Sequence, residues 1–164
     1  MTLTELNGLD RDRFVATIGW IFEHSPWVAE RAWHARPFPS SAALLAAMVA
    51  EVQRATDAEQ LALIRAHPDL GTRARMSAAS VHEQSGAGLD SLNAAEYSRL
   101  LGLNETYKSR FGFPFIHAVK GSTKQEIMAG LEERIESVPA VERATALAHI
   151  GRIARFRLED TISE

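Results

Sequence analysis

The sequence predicts a compact, all-α, single-domain bundle of several helices over residues 1–164, with one non-helical aromatic segment near residues 111–119. Apolar residues recur at steps of three and four along most of the chain, which is the spacing of one helix face. Capping residues, prolines and glycines divide this pattern into lengths typical of helices. No stretch alternates apolar and polar residues over the length of a strand, so no sheet is predicted.

The first three predicted helices begin at polar caps or after prolines. Asp10 can cap the first helix, whose apolar residues recur at helical spacing. The residues of that apolar face are Phe14, Ile18 and Ile21. Pro26 interrupts the pattern, and a second helix covers residues 27–35 until two prolines stop it. A serine at position 40 or 41 then begins an alanine-rich helix that runs to about residue 55.

Three capping-box pairs mark the starts of further helices: Thr56 with Glu59, Asn93 with Glu96, and Thr123 with Glu126. In such a pair, each side chain can accept a hydrogen bond from the backbone N–H of the other residue. Pro68 ends the first of these helices at or near His67, because the residue before a proline avoids helical geometry. The remaining predicted helices cover residues 72–76, 81–85, 94–110, 124–137 and 139–161.

Composition and charge are those of an ordinary globular protein. Of the 164 residues, 46% are hydrophobic and 24% are charged, and the formal net charge is −3. Because phosphate backbones and acidic membranes are bound by clustered Lys and Arg, no nucleic-acid or membrane partner is expected. The sequence contains no cysteine, no signal-peptide pattern and no apolar run of bilayer length, so a cytoplasmic protein is expected.

His67 is the first candidate for chemistry. It stands at the predicted end of a helix and is followed by Pro68, so the turn rather than the helix face aims its side chain. An imidazole, with an ordinary pKa near ~6.5, is suited to proton transfer at neutral pH. The alternative is a structural role, in which His67 caps the carbonyl end of the helix.

Ser80 and Glu83 form a second candidate pair. Three residues apart on a helix, they share one face, where a hydroxyl could hold a polar substrate and a carboxylate could move a proton or orient an imidazole. The alternative is a structural one, because Ser-x-x-Glu is also the capping-box pattern. His82 lies off this face and is expected to be exposed to solvent.

Two further features predict a binding pocket. Residues 111–116 read Phe-Gly-Phe-Pro-Phe-Ile, whose backbone groups can hydrogen-bond a planar heterocycle while Phe113 and Phe115 wall the pocket, unless the segment only fills the core. Arg157 falls on the apolar stripe of the last helix, whereas Arg155 does not. A guanidinium on an inward face needs a partner, either a substrate carboxylate or ureido group or an internal helix carboxylate.

No pattern predicts a metal or a cofactor. The six histidines form no His-x-x-x-His or His-x-x-His pair with nearby carboxylates, and no glycine-rich dinucleotide or phosphate loop is present. Chemistry without a metal or an organic cofactor is therefore expected.

Several segments, taken in order, carry a resemblance to a known family. They are Glu23-His24-Ser25-Pro26-Trp27-Val28-Ala29-Glu30, His67-Pro68-Asp69-Leu70-Gly71, Ser80-x-x-Glu83-Gln84, Ala87-Gly88-Leu89, Phe111-Gly112-Phe113-Pro114-Phe115-Ile116, Val119-Lys120-Gly121 and Ile150-x-x-Ile153-x-x-x-Arg157-Leu158. Together they resemble the 2-oxo-4-hydroxy-4-carboxy-5-ureidoimidazoline (OHCU) decarboxylases. The resemblance spans nearly the whole chain and depends on the ordered set rather than on any single motif.

The resemblance implies a compact helical fold, commonly a homodimer, that converts the substrate OHCU to (S)-allantoin and carbon dioxide without a cofactor, as the last step from urate. It implies that His67 and Glu83 are the catalytic pair. The substrate-binding residues that it implies are Pro68, Ser80, Phe115, Ile116 and Arg157. His117 stands where an apolar or small residue is expected.

The chemistry of this reaction explains why no cofactor is expected. Loss of carbon dioxide leaves an electron pair on carbon, and the C=N bond beside that carbon in the substrate can accept it. We expect His67 to withdraw the hydroxyl proton and Arg157 to orient the anionic substrate. Glu83 would hold the imidazole or help return a proton to one face of the ring. Desolvation near Phe113 and Phe115 would favour loss of the charged carboxylate.

Two other functions fit parts of the sequence. A His-Pro-Asp loop after a helix also resembles the J-domain of co-chaperones, but J-domains need a basic helix before that loop. The helix over residues 56–66 carries Asp57, Glu59 and one Arg, and so lacks that charge. The other function is a non-catalytic helical module that binds another ureide or a purine. The presence of both His67 and Glu83 favours the enzyme.

Overall fold

The prediction of an all-α protein is confirmed. A computed structural model describes residues 1–71 and 78–164, and within them helices are joined by turns and no strand is formed. The α-helices are α1 (Leu3–Asn7), α2 (Arg11–Ile18), α3 (Trp27–Ala32), α4 (Ser41–Arg54), α5 (Asp57–Arg65), α6 (Ala78–Gly86), α7 (Ala94–Phe111), α8 (Lys124–Ile135) and α9 (Pro139–Thr161), with a 3-10 helix at Trp33–Ala35. In that part of the chain, no helix combines the length and apolarity needed to cross a bilayer.

Helix starts follow the predicted caps. The predicted N-cap residues Asp10, Ser40, Thr56, Asn93 and Thr123 each accept a hydrogen bond from the backbone N–H three residues later. Thr123 and Glu126 complete the reciprocal capping box. Glu59, by contrast, binds the guanidinium of Arg31 at 2.7 Å. The short helix α1 was not predicted, although Thr2 and Glu5 form a capping box at its start.

The first predicted helix and the two predicted between residues 72 and 85 differ from the structure or lie outside it. Helix α2 ends at Ile18 with Gly19 as its C-cap, because glycine is a poor helix former. Ile21 is therefore buried in the turn that follows and does not continue the helix face, contrary to the prediction. Helix α6 is longer than the predicted 81–85. The helix predicted at 72–76 lies outside the described residues.

The first of two compact units comprises Met1–Ala66 and Gly151–Glu164. It holds α1 to α5 and the last part of α9, and α3 packs against both α2 and α4. Its core is formed by apolar side chains that include Leu6, Phe14, Ile18, Phe22, Leu44, Met48, Leu63, Ile64, Ala154 and Leu158. The backbone N–H of Leu3 donates to the Ser163 carbonyl at 2.8 Å, which ties the first and last segments of this unit together.

The second unit comprises His67–Ile150, and within it α7 packs on α8. Its core includes Leu100, Tyr107, Phe115, Ile127, Leu131, Ala146 and Ile150. Helix α7 ends at Phe111, and its C-cap residue Gly112 adopts a left-handed conformation (φ 78°) and donates its N–H to the Lys108 carbonyl at 2.8 Å. The chain then runs without helix from Gly112 to Thr123, so the predicted non-helical aromatic segment is confirmed.

Candidate active site

The loop that carries His67 is anchored by two buried amide side chains of the second unit. The backbone N–H of Gly71 donates to Gln84 Oε1 at 2.8 Å. One residue earlier, the Leu70 carbonyl accepts a hydrogen bond from Asn104 Nδ2 at 2.9 Å. Because both bonds are buried, they are stronger than the same bonds in water and costly to break. The loop is therefore held in place by α6 and α7.

Two further features fix the shape of this loop. Gly71 has φ +70°, and a Cβ at this position would lie 2.3 Å from Leu100 Cδ2. Glycine adopts this conformation without strain, whereas any other residue would also have to displace the Leu100 methyl group. Asp69 also pairs with Lys108 Nζ at 3.1 Å, although this partly exposed ion pair contributes little.

His67 itself is buried, with only 8% of its surface exposed, and the adjacent Pro68 is half-buried. Helix α5 ends before it, and the backbone N–H of Ala66 bonds to carbonyls of the last turn. An imidazole withdrawn from solvent on a loop anchored by two buried hydrogen bonds is a suitable group for directed proton transfer.

Helix α6 presents Ser80 and Gln84 on its buried face, while Glu83 is half-buried beside them. Ser80 lies inside the helix, which rules out the alternative in which Ser80 is an N-cap. His82 is exposed, as predicted. Since Gln84 is bonded to Gly71, the helix that carries Ser80 and Glu83 contacts the loop that carries His67.

The aromatic segment contributes both packing and backbone groups. The rings of Phe113 and Phe115 lie 6.0 and 5.4 Å from the ring of Tyr107, so these side chains fill the core of the second unit. Phe115 and Ile116 are buried. Within the described part of the chain, their backbone N–H groups make no hydrogen bond. Such groups can bind a polar ligand at little cost to the fold.

His117 stands where a small or apolar residue was expected, and its ring packs against two neighbouring rings. Its ring stacks between Phe115 at 5.9 Å and His149 at 4.9 Å, and its Nε2 lies 3.3 Å from Ser122 Oγ. His149 Nδ1 accepts the backbone N–H of Ala118 at 3.0 Å. The two imidazoles thus stabilise the segment through ring stacking and through the hydrogen bond to Ala118.

A polar cluster made of Arg134, Glu142 and Tyr107 lies beside the aromatic segment and was not predicted from the sequence. Arg134 Nε donates to Glu142 Oε1 at 2.5 Å, and Tyr107 Oη donates to the same oxygen at 2.6 Å. A signal was available, because Arg134 follows Ile127 and Leu131 at helical spacing on α8. The same spacing on the last helix predicts that Arg157 faces inward.

Arg157 lies in the first unit and is buried, whereas Arg155 is exposed, as predicted. Its Nη2 bonds to Glu23 Oε2 at 2.8 Å, and its Nη1 donates to the Ile21 carbonyl at 3.2 Å. An internal ion pair is thus present, but its carboxylate comes from the turn after α2 rather than from a helix. Substrate binding by Arg157 stays a prediction.

The described residues form no evident metal centre. Across residues 1–71 and 78–164, His, Cys, Asp and Glu side chains nowhere gather in a group of three that could hold a metal ion. Cofactor-free chemistry remains a prediction from the sequence and the resemblance.

Comparison with known proteins matches most of the chain to one family. Residues 7–159 match the family model described as OHCU decarboxylase. The chain is 48% identical over 163 residues to the 2-oxo-4-hydroxy-4-carboxy-5-ureidoimidazoline decarboxylase of Haloferax volcanii, and the match covers 99% of this chain and 97% of that protein. It is 50% identical to the uric acid degradation bifunctional protein PucL of Bacillus subtilis, of which the match covers 33%.

A solved structure is similar as well. The crystal structure of (S)-allantoin synthase has a TM-score of 0.79 and 31% sequence identity to this chain. The match covers 99% of this chain and 54% of the other, so this chain spans about half of that protein's length. A family model over most of the chain and a relative of nearly equal length lead to one conclusion. The chain belongs to the OHCU decarboxylase family, which is a family of carboxy-lyases.

Proposed function

We propose that this chain, as a single OHCU decarboxylase-like domain over residues 1–164, converts OHCU to (S)-allantoin and carbon dioxide. Family membership supports this activity, and so does the 48% identity to a relative of that name. The observation that carries the proposal is the buried His67 on a loop bonded to α6, the helix that bears Ser80 and Glu83.

The reaction needs no external oxidant or reductant, because every electron pair that moves stays within the substrate and its products. OHCU bears a hydroxyl and a carboxylate on one ring carbon, next to a ring C=N bond. When the bond to the carboxylate breaks, its electron pair forms a C=C bond with the neighbouring carbon, and the C=N pair moves to nitrogen, which takes a proton. The enol then loses its hydroxyl proton and gains a proton on the neighbouring carbon. This yields the ring carbonyl and the stereocentre of (S)-allantoin.

The roles proposed for the side chains follow from these proton movements. His67 withdraws the hydroxyl proton, because a buried imidazole on an anchored loop can be aimed at a single oxygen. Glu83 either holds that imidazole or delivers the proton to one ring face, which would give a single enantiomer. Ser80 binds a polar group of the substrate, and Pro68 shapes the pocket beside His67.

The remaining proposed contacts belong to the ring and the carboxylate of the substrate. Buried backbone groups of Phe115 and Ile116 suit the edge of a planar heterocycle. For Arg157, the family resemblance implies binding of the anionic substrate, and the planar guanidinium has five N–H donors for more than one partner. We also propose a cytoplasmic homodimer, for which sedimentation equilibrium should give twice the chain mass of 18.1 kDa.

The decisive experiment mixes the purified protein with freshly generated OHCU and follows absorbance and circular dichroism. Wild-type protein should produce optically active (S)-allantoin faster than the spontaneous reaction. His67→Asn should lower kcat by about 10²–10⁴-fold, the usual contribution of general acid–base catalysis. His82→Asn is the matched control, since that imidazole is exposed on α6, and it should react normally.

Two results would count against the proposal. Decay at the spontaneous rate to racemic allantoin with wild-type protein would reject the activity. Normal turnover by His67→Asn would leave the activity standing but reject the role of His67. Glu83→Gln then separates the two roles of the carboxylate, because loss of enantiomeric excess indicates proton delivery, whereas loss of rate alone indicates orientation of His67.

A further inference from the structure

Arg134 holds two consecutive residues of the aromatic segment at once. Its Nη1 donates to the Ile116 carbonyl at 2.5 Å, and its guanidinium carbon lies 4.4 Å from the centre of the Phe115 ring. The first contact is a charge-assisted hydrogen bond and the second is a cation–π contact, and both weaken when the guanidinium moves. One side chain of α8 therefore sets the position of the backbone at 115–116.

Arg134 is itself locked in place by the buried Glu142. Glu142 is 1% exposed, and the Arg134 side chain is 13% exposed. The carboxylate of Glu142 pairs with Arg134 and accepts a hydrogen bond from the hydroxyl of Tyr107. If the guanidinium rotated, a buried carboxylate would lose its counter-charge, which is strongly unfavourable. The ion pair with Glu142 therefore favours the observed orientation of Arg134.

The aromatic segment has a specific need for this support. Backbone groups that are to bind a substrate cannot also be used in a helix, and residues 112–123 lack the hydrogen bonds that fix a helix. We propose that Arg134 is a positioning residue that holds the backbone of Phe115 and Ile116 against the substrate ring. This inference rests on the function proposed above. Arg134 acts through Ile116 and Phe115 and does not itself touch the substrate.

A lysine at this position separates positioning from charge. Arg134→Lys keeps the positive charge, but a single ammonium cannot reproduce the planar fork that reaches both Glu142 and the Ile116 carbonyl. Contacts of the backbone with the ring are made in the bound substrate and in the transition state alike. Their loss should raise KM about 10–100-fold and leave kcat within about threefold.

The test compares Arg134→Lys with Arg99→Met, which removes an exposed ion pair between α7 and α8 through Glu132. For each variant we would measure kcat and KM with OHCU, the Kd for (S)-allantoin by calorimetry, and the Tm. We expect KM and Kd to rise together for Arg134→Lys, and both to stay at wild-type values for Arg99→Met. A merely structural residue would lower the Tm without raising the Kd of the folded protein.

The opposite results are equally clear. A folded Arg134→Lys with wild-type KM and Kd, or with a fall in kcat alone, overturns the inference. If Arg134→Lys does not fold, Glu142→Gln decides by the same readouts, with an expected rise in KM and Kd of about 3–10-fold, and unchanged values overturn the inference. Wild-type protein that neither turns over OHCU nor binds (S)-allantoin refutes the proposed function instead, and with it the basis of this inference.

Discussion

Gly71 provides the sharpest test of how the candidate active site is built. Replacing it with alanine imposes two separate costs. A left-handed conformation, here φ +70°, costs an L-residue about 1–2 kcal/mol. The new Cβ would also lie 2.3 Å from Leu100 Cδ2, and Leu100 is fully buried, so the clash has no outlet to solvent. Overpacking of this kind costs about 1–3 kcal/mol, which makes the total about 2–5 kcal/mol.

Two other glycines of the same unit separate these costs. Gly88 has φ +80°, but its nearest neighbouring atom would be 3.7 Å from a Cβ, so Gly88→Ala should show only the conformational cost of about 1–2 kcal/mol. Gly86 ends α6 with nothing within 4 Å of a Cβ, so Gly86→Ala should be neutral or stabilising by up to about 1 kcal/mol. Thermal unfolding measures the series, at about 2–4 °C of Tm per kcal/mol for a chain of this size.

Activity supplies the second readout for Gly71→Ala. A displaced Gly71 would weaken its bond to Gln84 and move the loop that carries His67, so kcat/KM on OHCU should fall about 10–100-fold. If Gly71→Ala were no less stable than Gly88→Ala, the Leu100 side chain would have absorbed the clash. Close packing at Gly71 would then not be what fixes the position of this loop.

Two pH dependences follow from shifted pKa values. Burial, and next the hydrogen bond to Glu142, raise the pKa of Tyr107 above its ordinary value of 10.0, so its stabilising contribution is complete below that pH and is lost as pH rises. Above pH 10.0, the free energy of unfolding should therefore fall more steeply with pH for wild-type protein than for Tyr107→Phe. Parallel curves of unfolding free energy against pH would contradict this. The hydrogen bond from Arg31 lowers the pKa of Glu59 below 4.5, so its contribution is present above that pH and is lost as pH falls through the lowered pKa. The stability difference between wild type and Glu59→Gln should shrink in acid and in high salt, and a difference independent of pH would refute the pairing.

The helices were predictable because their signals are local. A cap such as Asp10 or Thr123 acts on a backbone N–H three residues away, and Pro68 acts on the residue just before it. The prediction for Ile21 was wrong because a local signal was given too much weight. Its apolar character and spacing fitted a helix face, but Gly19 ended the helix, and burial in a turn satisfies the same apolar side chain.

The candidate site was predictable only in part. Ser80 and Glu83 could be placed on one helix face, but the sequence could not distinguish a helix interior from a capping box. The structure decided this by beginning α6 before Ser80. The inward position of Arg134 could be read from its helical spacing, but its pairing with Glu142 could not, since the two residues are eight positions apart on different helices.

By itself, the sequence determined an all-α chain, the helix starts that carry a capping residue it recognised, the non-helical aromatic segment and the residue types available for proton transfer. All of these depend on contacts within a few residues, or on side-chain chemistry that needs no neighbours. Only the tertiary structure decided that Gln84 and Asn104 hold the loop of His67, and that Arg134 holds Ile116. Those hydrogen bonds join residues 13, 34 and 18 positions apart. Their strength depends on burial, which only the packing of the whole unit can supply.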